Sequence, residues 1–445
     1  MIVILHGWSD SSASFRAVAQ FLAGASPING PVLPLWLGDY ISMDDDITFD
    51  DLADAMTSAW SARGLPLTPR SVDLVVHSTG ALVARHWMTR AFTPTTNPIR
   101  RLVMLAPANF GSHLAHKGHS FVGRVWKGYK SKRLFHTGKR ILYGLEMASQ
   151  FIRDLSDRDL FAKDRWYGAD RVLATTIIGS SGYSGIQAAA NFDGSDGTVP
   201  IAAANLNANR LVMDFSKDPS VPAISKTKAS PRTAFLRVSG DNHSTIAFKS
   251  GGPKNASVRQ ALIAALSVSD AGYDAHCSAM AELSERPSSS LEPKATRSWL
   301  TNVVFRVTDS HESAVDDYFI EFFSKKPGSN RVDEKVTGKI QQDGIVKVHV
   351  NGRSPSSRSV LVDRAQLLLA LSGQQRPLHI SITASPDVAD TKTVGYSTVG
   401  YNDIGSLEVP FQGLPSLLSP DKTLFVDLVL KRVQTTEVFG FSPYP

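Results

Sequence analysis

Three residues whose side chains can cooperate in acyl transfer are spread widely along the chain: Ser78, Asp196 and His243. Ser78 lies in "LVVHSTGALVAR" (74–85), where a β-branched apolar run ends in His-Ser-Thr-Gly and a helix-like pattern follows. A strand, a serine beside small residues and then a helix are the setting of a nucleophile elbow. The helix N-terminus favours the negative charge that develops on an attacked carbonyl oxygen. The segment predicts Ser78 as a nucleophile, with N-capping of the helix as the alternative role.

A serine nucleophile needs a general base, and the base needs a carboxylate that orients it. "SDGTVP" (195–200) and "SGDNHSTIAF" (239–248) each follow a predicted strand, and they contain Asp196 and His243. Alone, an Asp-Gly pair is usually a turn and a loop histidine is usually solvated. The order serine, aspartate, histidine, each after a predicted strand, predicts a catalytic triad. Two rival carboxylates lie nearby: Asp193 is three residues before Asp196, and Asp241 is two residues before His243.

The oxyanion of the intermediate requires two hydrogen-bond donors, and the first strand supplies a candidate. In "ILHGWSDSSASF" (4–15), His6-Gly7 directly follows that strand, and the glycine permits a turn that aims the Trp8 N–H at a substrate oxygen. The second donor would be the N–H of Thr79, the residue after the nucleophile. A simple strand-ending turn at His6-Gly7 is the alternative.

Taken together, these segments resemble α/β-hydrolases of the bacterial lipase/esterase kind, over residues 1 to about 268. The motifs that carry the resemblance are "LHGWSD", "VHSTGALVAR", "LAPANFGS" (105–112), "SDGTVP" and "DNHSTI". It implies a nucleophile, a base, an orienting acid and two oxyanion donors at Ser78, His243, Asp196, Trp8 and Thr79. It favours Asp196 over its rivals because Gly-Thr-Val-Pro follows it, and it turns the His77 side chain away from the nucleophile to pack beneath the turn.

The sequence departs from this family's pattern in three respects. Val76 stands where Gly-x-Ser-x-Gly has its first glycine, and the chain begins at what is normally the third strand. The calcium site and disulfide of some secreted lipases have no counterpart that we can place. We expect neither a cofactor nor a bound metal.

Hydrophobic patterning supplies the elements that would position these residues. Strands are predicted over residues 1–5, 31–36, 71–76, 99–105, 171–178 and 233–238, and helices over 12–24, 49–63, 80–92 and 256–268. Alternating strands and helices indicate an α/β fold whose mostly parallel sheet is covered on both faces. An insertion over about 113–168 is predicted to form a helical cap. Residues 179–232 are loop-like, with an additional strand at 210–215.

The pattern changes after a Pro/Ser-rich stretch at 284–297, which is typical of an inter-domain linker. Short strands separated by turn residues follow, with a helical pattern only at 363–372. These strands are predicted at 302–309, 317–323, 344–352, 378–386, 391–401 and 423–433. We expect a catalytic domain over 1–283 and a smaller, all-β, sandwich-like domain over 298–445. No motif identifies a protein partner for this second domain.

Bulk composition narrows the function classes. The 445 residues contain one cysteine, which excludes an intramolecular disulfide. No run of 18 apolar residues that would span a membrane occurs. The sequence also lacks the pattern of a secretory signal peptide. We therefore expect a cytoplasmic protein or one exported without a cleaved signal, as effectors of the type VI secretion route are.

The formal net charge of +6 is concentrated near the serine. No Asp or Glu occurs from Leu74 to Leu145, whereas twelve Lys and Arg do, eight of them between Lys117 and Arg140. Basic residues alternate there with aromatic and aliphatic ones, as in helices that lie on anionic membranes. A solvated helix packed by its aromatic face is the alternative. No nucleic-acid motif accompanies the charge, and we expect no nucleic-acid partner.

These observations predict a serine carboxylic-ester hydrolase that acts on lipid-like esters through an acyl-enzyme. In a narrower form, it is a phospholipase that docks on anionic membrane through the cap region 117–140. Two alternatives stay open: a thioesterase or amidase of the same fold, and a non-catalytic binding protein built on a hydrolase scaffold.

Overall fold

The protein forms two compact units. A computed structural model describes residues 1–5, 15–28, 30–37, 41, 46–115, 138–185, 188, 191–218, 221–229, 232–287, 289–384 and 407–431. The first unit comprises Met1–Ala208, Lys228–Ser288 and Asp421–Thr423. The second comprises Asn209–Thr227, Ser289–Pro420 and Leu424–Pro445.

A six-stranded sheet forms the centre of the first unit. Its strands are β1 (Ile2–Leu5), β2 (Val32–Leu35), β3 (Val72–His77), β4 (Ile99–Leu105), β5 (Leu173–Gly179) and β8 (Ala234–Val238). They lie in the order β2-β1-β3-β4-β5-β8, and every neighbouring pair is parallel. All residues of β1 and β5 are buried, as expected of parallel strands covered on both faces.

Helices connect these strands. They are α1 (Arg16–Gly24), α2 (Phe49–Ala62), α3 (Gly80–Ala91), α4 (Lys139–Leu145), α5 (Gln150–Asp159), α6 (Ile201–Ala204), α7 (Ala256–Ser267) and α8 (Tyr273–Leu283). The start of α2 is fixed by a reciprocal capping box between Thr48 and Asp51. The predicted α/β architecture is confirmed, although α8 was not predicted. The predicted helix 12–24 is described only from residue 15 onward.

The second unit contains two sheets. The strands of these two sheets are β6 (Asn209–Asp214), β7 (Ala223–Lys228), β9 (Leu300–Asp309), β10 (Tyr318–Phe323), β11 (Ile345–Val350), β12 (Ser357–Asp363), β13 (Leu378–Ala384), β14 (Leu407–Val409) and β15 (Thr423–Leu430). One sheet has the order β11-β12-β9-β15-β6-β7 and the other has the order β10-β13-β14. Apolar side chains of both sheets join one core.

Helices are few in this part of the described chain. They are α9 (Pro293–Thr296), α10 (Glu334–Lys339), a π-helix at Ile340–Gly344, α11 (Arg364–Leu371) and α12 (Leu414–Leu417). The predicted β-rich second half is confirmed, and the predicted helix at 363–372 corresponds to α11. Strand β12 was not predicted, and the predicted strand at 391–401 lies outside the described residues.

One domain boundary differs from the sequence-based expectation. Strands β6 and β7, expected within the catalytic domain 1–283, belong to the second unit. Strand β6 pairs in parallel with β15, with Leu211 opposite Val426. This pairing joins segments far apart along the chain, so no local pattern indicates it. In addition, the predicted linker 284–297 contains helix α9.

Within the described residues, we find no helix with the length and apolar content needed to cross a bilayer.

Candidate active site

Ser78 occupies a sharp turn between β3 and α3. Its φ of 55° lies in the left-handed region, which costs a non-glycine residue on the order of 1 kcal/mol. The turn is held by a hydrogen bond from the Ser78 N–H to the Leu105 carbonyl at 3.1 Å. Thr79, rather than Ser78, stands at the N-cap of α3. The position that departs from the family's glycine, Val76, is fully buried and pairs with Leu5 and Met104 of the adjacent strands.

His243 links the serine to a carboxylate. Its Nε2 lies 3.0 Å from Ser78 Oγ, and its Nδ1 lies 2.8 Å from Asp196 Oδ2. The His243 N–H also donates to the Asp196 carbonyl at 2.9 Å, which fixes the two loops to one another. The structure thus brings together Ser78, His243 and Asp196, which follow β3, β8 and β5.

Asp196 is completely buried and fully hydrogen-bonded. Its second carboxylate oxygen accepts the N–H groups of Thr198 at 2.9 Å and Val199 at 2.7 Å. Two backbone donors stabilise the ionised carboxylate in the absence of solvent. Gly197 permits this turn, because its φ is 93° and a Cβ would lie 2.7 Å from the Tyr183 ring.

The rival carboxylates lie elsewhere. Asp193 is exposed to solvent. Asp241 is buried, but its two oxygens accept the N–H groups of Lys254 and Asn255, just before α7. The Asp241 backbone also packs against the end of β5, where a Cβ on Gly179 would lie 2.1 Å from the Asp241 carbonyl oxygen. Asp241 therefore shapes the loop that carries His243, without contacting its ring.

The hydrogen-bond pattern assigns the protons. A carboxylate can only accept, so His243 Nδ1 carries a hydrogen and Nε2 has a free lone pair. The Ser78 hydroxyl then donates to Nε2. This tautomer is the one that a general base requires, because Nε2 can take the serine proton while Asp196 stabilises the imidazolium.

One of the two predicted oxyanion donors lies within the described structure. Thr79 follows the nucleophile at the start of α3, and its N–H makes no hydrogen bond to any residue that the structure describes. It is available to a bound oxyanion. The other predicted donor, Trp8, lies outside the described residues, as does His6-Gly7.

His77 has a contact that sequence reasoning did not identify. Its Nε2–H donates to the carbonyl oxygen of His243 at 3.0 Å, and the ring centroids of the two histidines are 4.8 Å apart. The sequence indicated only packing beneath the turn. His77 therefore anchors the backbone of His243, and its adjacency to Ser78 was the one available signal.

Sequence reasoning also gave no prediction for a buried charged residue, Arg85, in the helix that follows the elbow. Arg85 of α3 is fully buried and binds both carboxylate oxygens of Asp159, at 2.7 and 3.0 Å. Its Nη1 donates to the Asn109 carbonyl at 3.1 Å, and the Tyr167 hydroxyl donates to Asp159 at 2.6 Å. These contacts fix the segment after β4 and the end of α5 to the helix that follows Ser78. An arginine directly after the apolar run at 81–84 was the signal for such a pair.

The predicted cap is described only in its second half. Residues 138–168 contain α4 and α5, whereas the basic and aromatic stretch at 116–137 lies outside the described residues.

Comparisons with known proteins identify the family and the fold. Residues 2–250 match the profile of the alpha/beta hydrolase family. Phospholipase PlaB from Legionella pneumophila has a similar structure, with a TM-score of 0.79 and 22% identity, covering 99% of this chain and 96% of that chain. The same protein in complex with thio-NAD gives a TM-score of 0.76 and 20% identity, with the same coverage. No curated protein matches the sequence significantly. At these identities, the likeness to the solved structures establishes a shared fold.

Proposed function

Because the chain belongs to the alpha/beta hydrolase family, we propose that it is a serine carboxylic-ester hydrolase that cleaves the acyl esters of phospholipids. The observation that carries this proposal is the hydrogen-bonded series Ser78–His243–Asp196, with the serine in the left-handed turn of an elbow. The three residues have the roles of nucleophile, base and orienting acid.

In the first half of the reaction, Ser78 Oγ attacks the acyl carbonyl carbon and its proton passes to His243 Nε2. The imidazolium is stabilised by Asp196, whose carboxylate also accepts two backbone N–H groups. The Thr79 N–H and the Trp8 N–H stabilise the oxyanion of the tetrahedral intermediate. The intermediate collapses, the carbon–oxygen bond to the alcohol breaks, and the alcohol leaves as a lysolipid with the proton from His243.

The second half repeats this chemistry with water. His243 takes a proton from a water molecule, which attacks the acyl-enzyme carbonyl. The bond to Ser78 Oγ then breaks, the serine recovers its proton from His243, and a fatty acid is released. The reaction needs neither a metal nor a cofactor.

Two further observations support a lipid substrate. A solved structure that matches the chain over almost its full length is that of a phospholipase. The sequence also places eight basic residues between Lys117 and Arg140 in the predicted cap. A cap of this charge would dock on anionic lipid and bring the ester to the serine. We expect the enzyme to meet membrane either inside the cell or after export, and cell fractionation distinguishes the two.

A substrate panel with a Ser78→Ala control tests the proposal. The panel contains a soluble ester, a phospholipid and a thioester, and each is assayed with both proteins. We expect hydrolysis of the ester and the phospholipid, with a loss on the order of 10³-fold or more in the variant. The fold should persist, because alanine is smaller than serine. Unchanged turnover in Ser78→Ala would identify another nucleophile, and turnover of the thioester alone would favour a thioesterase.

A further inference from the structure

The core of the second unit encloses a cavity that the proposed reaction does not use. Its volume is about 230 Å³. Side chains of the large sheet, such as Val303 and Val426, line it together with Ile380 and Ile382 of the smaller sheet and with Leu414 of α12. All five residues belong to the second unit.

The cavity is apolar inside and polar only where it reaches the surface. Of its 25 lining residues, only Lys226, Glu408 and Ser416 have polar side chains. All three are exposed to solvent, and the neighbouring Ile224 is 54% exposed. The three polar residues therefore lie at the solvent-exposed mouth of the cavity. The interior is formed by hydrocarbon side chains.

Water is a poor occupant of such a space. Roughly eight water molecules would have the same volume, at about 30 Å³ each, and each would need two to four polar partners. Apolar cavities of roughly 150 Å³ stay dry and accept a benzene molecule. Scaled by volume, this cavity would hold roughly nine carbon atoms.

We propose that this cavity binds the hydrocarbon chain of a single-chain lipid, with its anionic head group at Lys226. Lys226 forms no ion pair with any residue that the structure describes, so its ammonium group is available to a carboxylate or a phosphate. The choice of an acyl chain as occupant rests on the proposed function, since cleavage of a phospholipid releases a fatty acid and a lysolipid.

Calorimetric titration of the full-length Ser78→Ala protein tests the site without turnover. The probes are hexanoate, decanoate and tetradecanoate, together with decanoyl lysophosphatidylglycerol, whose head group is anionic. We expect one saturable site whose affinity rises roughly fourfold for each added methylene group up to decanoate. Beyond decanoate the gain should level off, because the cavity is then full. Tighter binding of decanoate than of the decanoyl lysolipid would identify a fatty acid as the ligand. Tighter binding of the decanoyl lysolipid would identify a lysolipid as the ligand. Absence of saturable binding by both would overturn the proposal.

Substitutions test whether decanoate binds in this cavity. Val303→Phe adds four carbon atoms to a side chain that lines the cavity and should weaken decanoate binding on the order of 100-fold. Val348→Phe, at an exposed position that does not line the cavity, should leave binding unchanged. If Val303→Phe does not fold, Lys226→Glu at the exposed mouth should still weaken decanoate binding by roughly tenfold. Equal affinity in the parent protein and in all folded variants would place the ligand elsewhere and overturn the assignment.

A covalent serine-directed phosphonate separates this inference from the proposed function. Labelling Ser78 in the parent protein blocks the catalytic site and should leave decanoate affinity unchanged. Loss of affinity on labelling would show that the chain had bound at the catalytic serine. A protein that binds decanoate but hydrolyses no ester would contradict the proposed function alone.

Discussion

The Nε2 of His77 lies 3.0 Å from the carbonyl oxygen of His243, so the residue before Ser78 holds the backbone of the proposed general base. Both side chains are buried, His77 at 3% exposure and His243 at 5%. His77 is thus a positioning residue, because it acts on the base and not on the substrate.

His77→Ala should lower kcat by roughly tenfold while KM changes little, because misplacing the base by a fraction of an ångström affects only the proton transfer. His77→Gln retains a donor and should restore part of the rate. Steady-state kinetics on a soluble ester measure both variants. If the glutamine and alanine variants lose activity equally while remaining folded, packing rather than the hydrogen bond is the role of His77.

Asp196→Asn should reduce ester hydrolysis on the order of 10³- to 10⁴-fold, because the amide can donate to His243 Nδ1 and so favour the wrong tautomer. The matched control is Asp193→Asn, since Asp193 is exposed and lies three residues earlier. It should retain nearly full activity. The comparison is made on kcat with both proteins checked for folding by circular dichroism. Equal losses in the two variants would reject Asp196 as the orienting acid.

The raised pKa of Asp421 predicts that the stability of the first unit depends on pH. Asp421 is buried and bound by Arg237 Nη1 at 3.0 Å, and burial outweighs this ion pair and raises its pKa from 3.8 to about 6. The native state then binds the proton more tightly than the unfolded state. The stabilisation is present below about pH 4 and is lost as the pH rises through about 6.

Asp421→Asn removes this titration. From pH 4 to 7, the free energy of unfolding of the parent should fall relative to that of the variant by roughly 2 to 3 kcal/mol. Urea unfolding at several pH values, followed by a probe in the first unit, measures the difference. A difference that does not change with pH would mean that Arg237 keeps Asp421 ionised throughout this range.

Charge reversal tests the membrane role of the predicted cap. Replacing Lys127, Lys130, Lys132 and Arg133 by Glu should cut activity on anionic vesicles, since each basic side chain near the surface contributes about 1 kcal/mol. Activity on a soluble ester should stay nearly unchanged, and added salt should imitate the variant in the parent protein. Equal losses on both substrates would indicate a structural cap, and no loss on either would indicate a solvated segment.

The sequence determined the local elements of the first unit. The central strand Ile99–Leu105 has the predicted bounds, and α2, α3 and α7 end within one residue of their predicted ends. Such elements can be predicted because periodic burial and turn residues act over a few neighbouring positions. The order of Ser78, Asp196 and His243 after their strands could also be predicted from the sequence. The hydrolase class expected from that order agrees with the family match.

Tertiary structure decided what depends on distant segments. Asp193, Asp196 and Asp241 are equivalent as residue types, and only the fold directs one of them to the ring of His243. Strand β6 joins the sheet of the second unit because β15, more than 200 residues later, offers it a partner. The contacts of His77 and Arg85 are likewise made across long separations. Periodicity shows that a residue is buried, but the partner it meets there is set by how the whole chain packs.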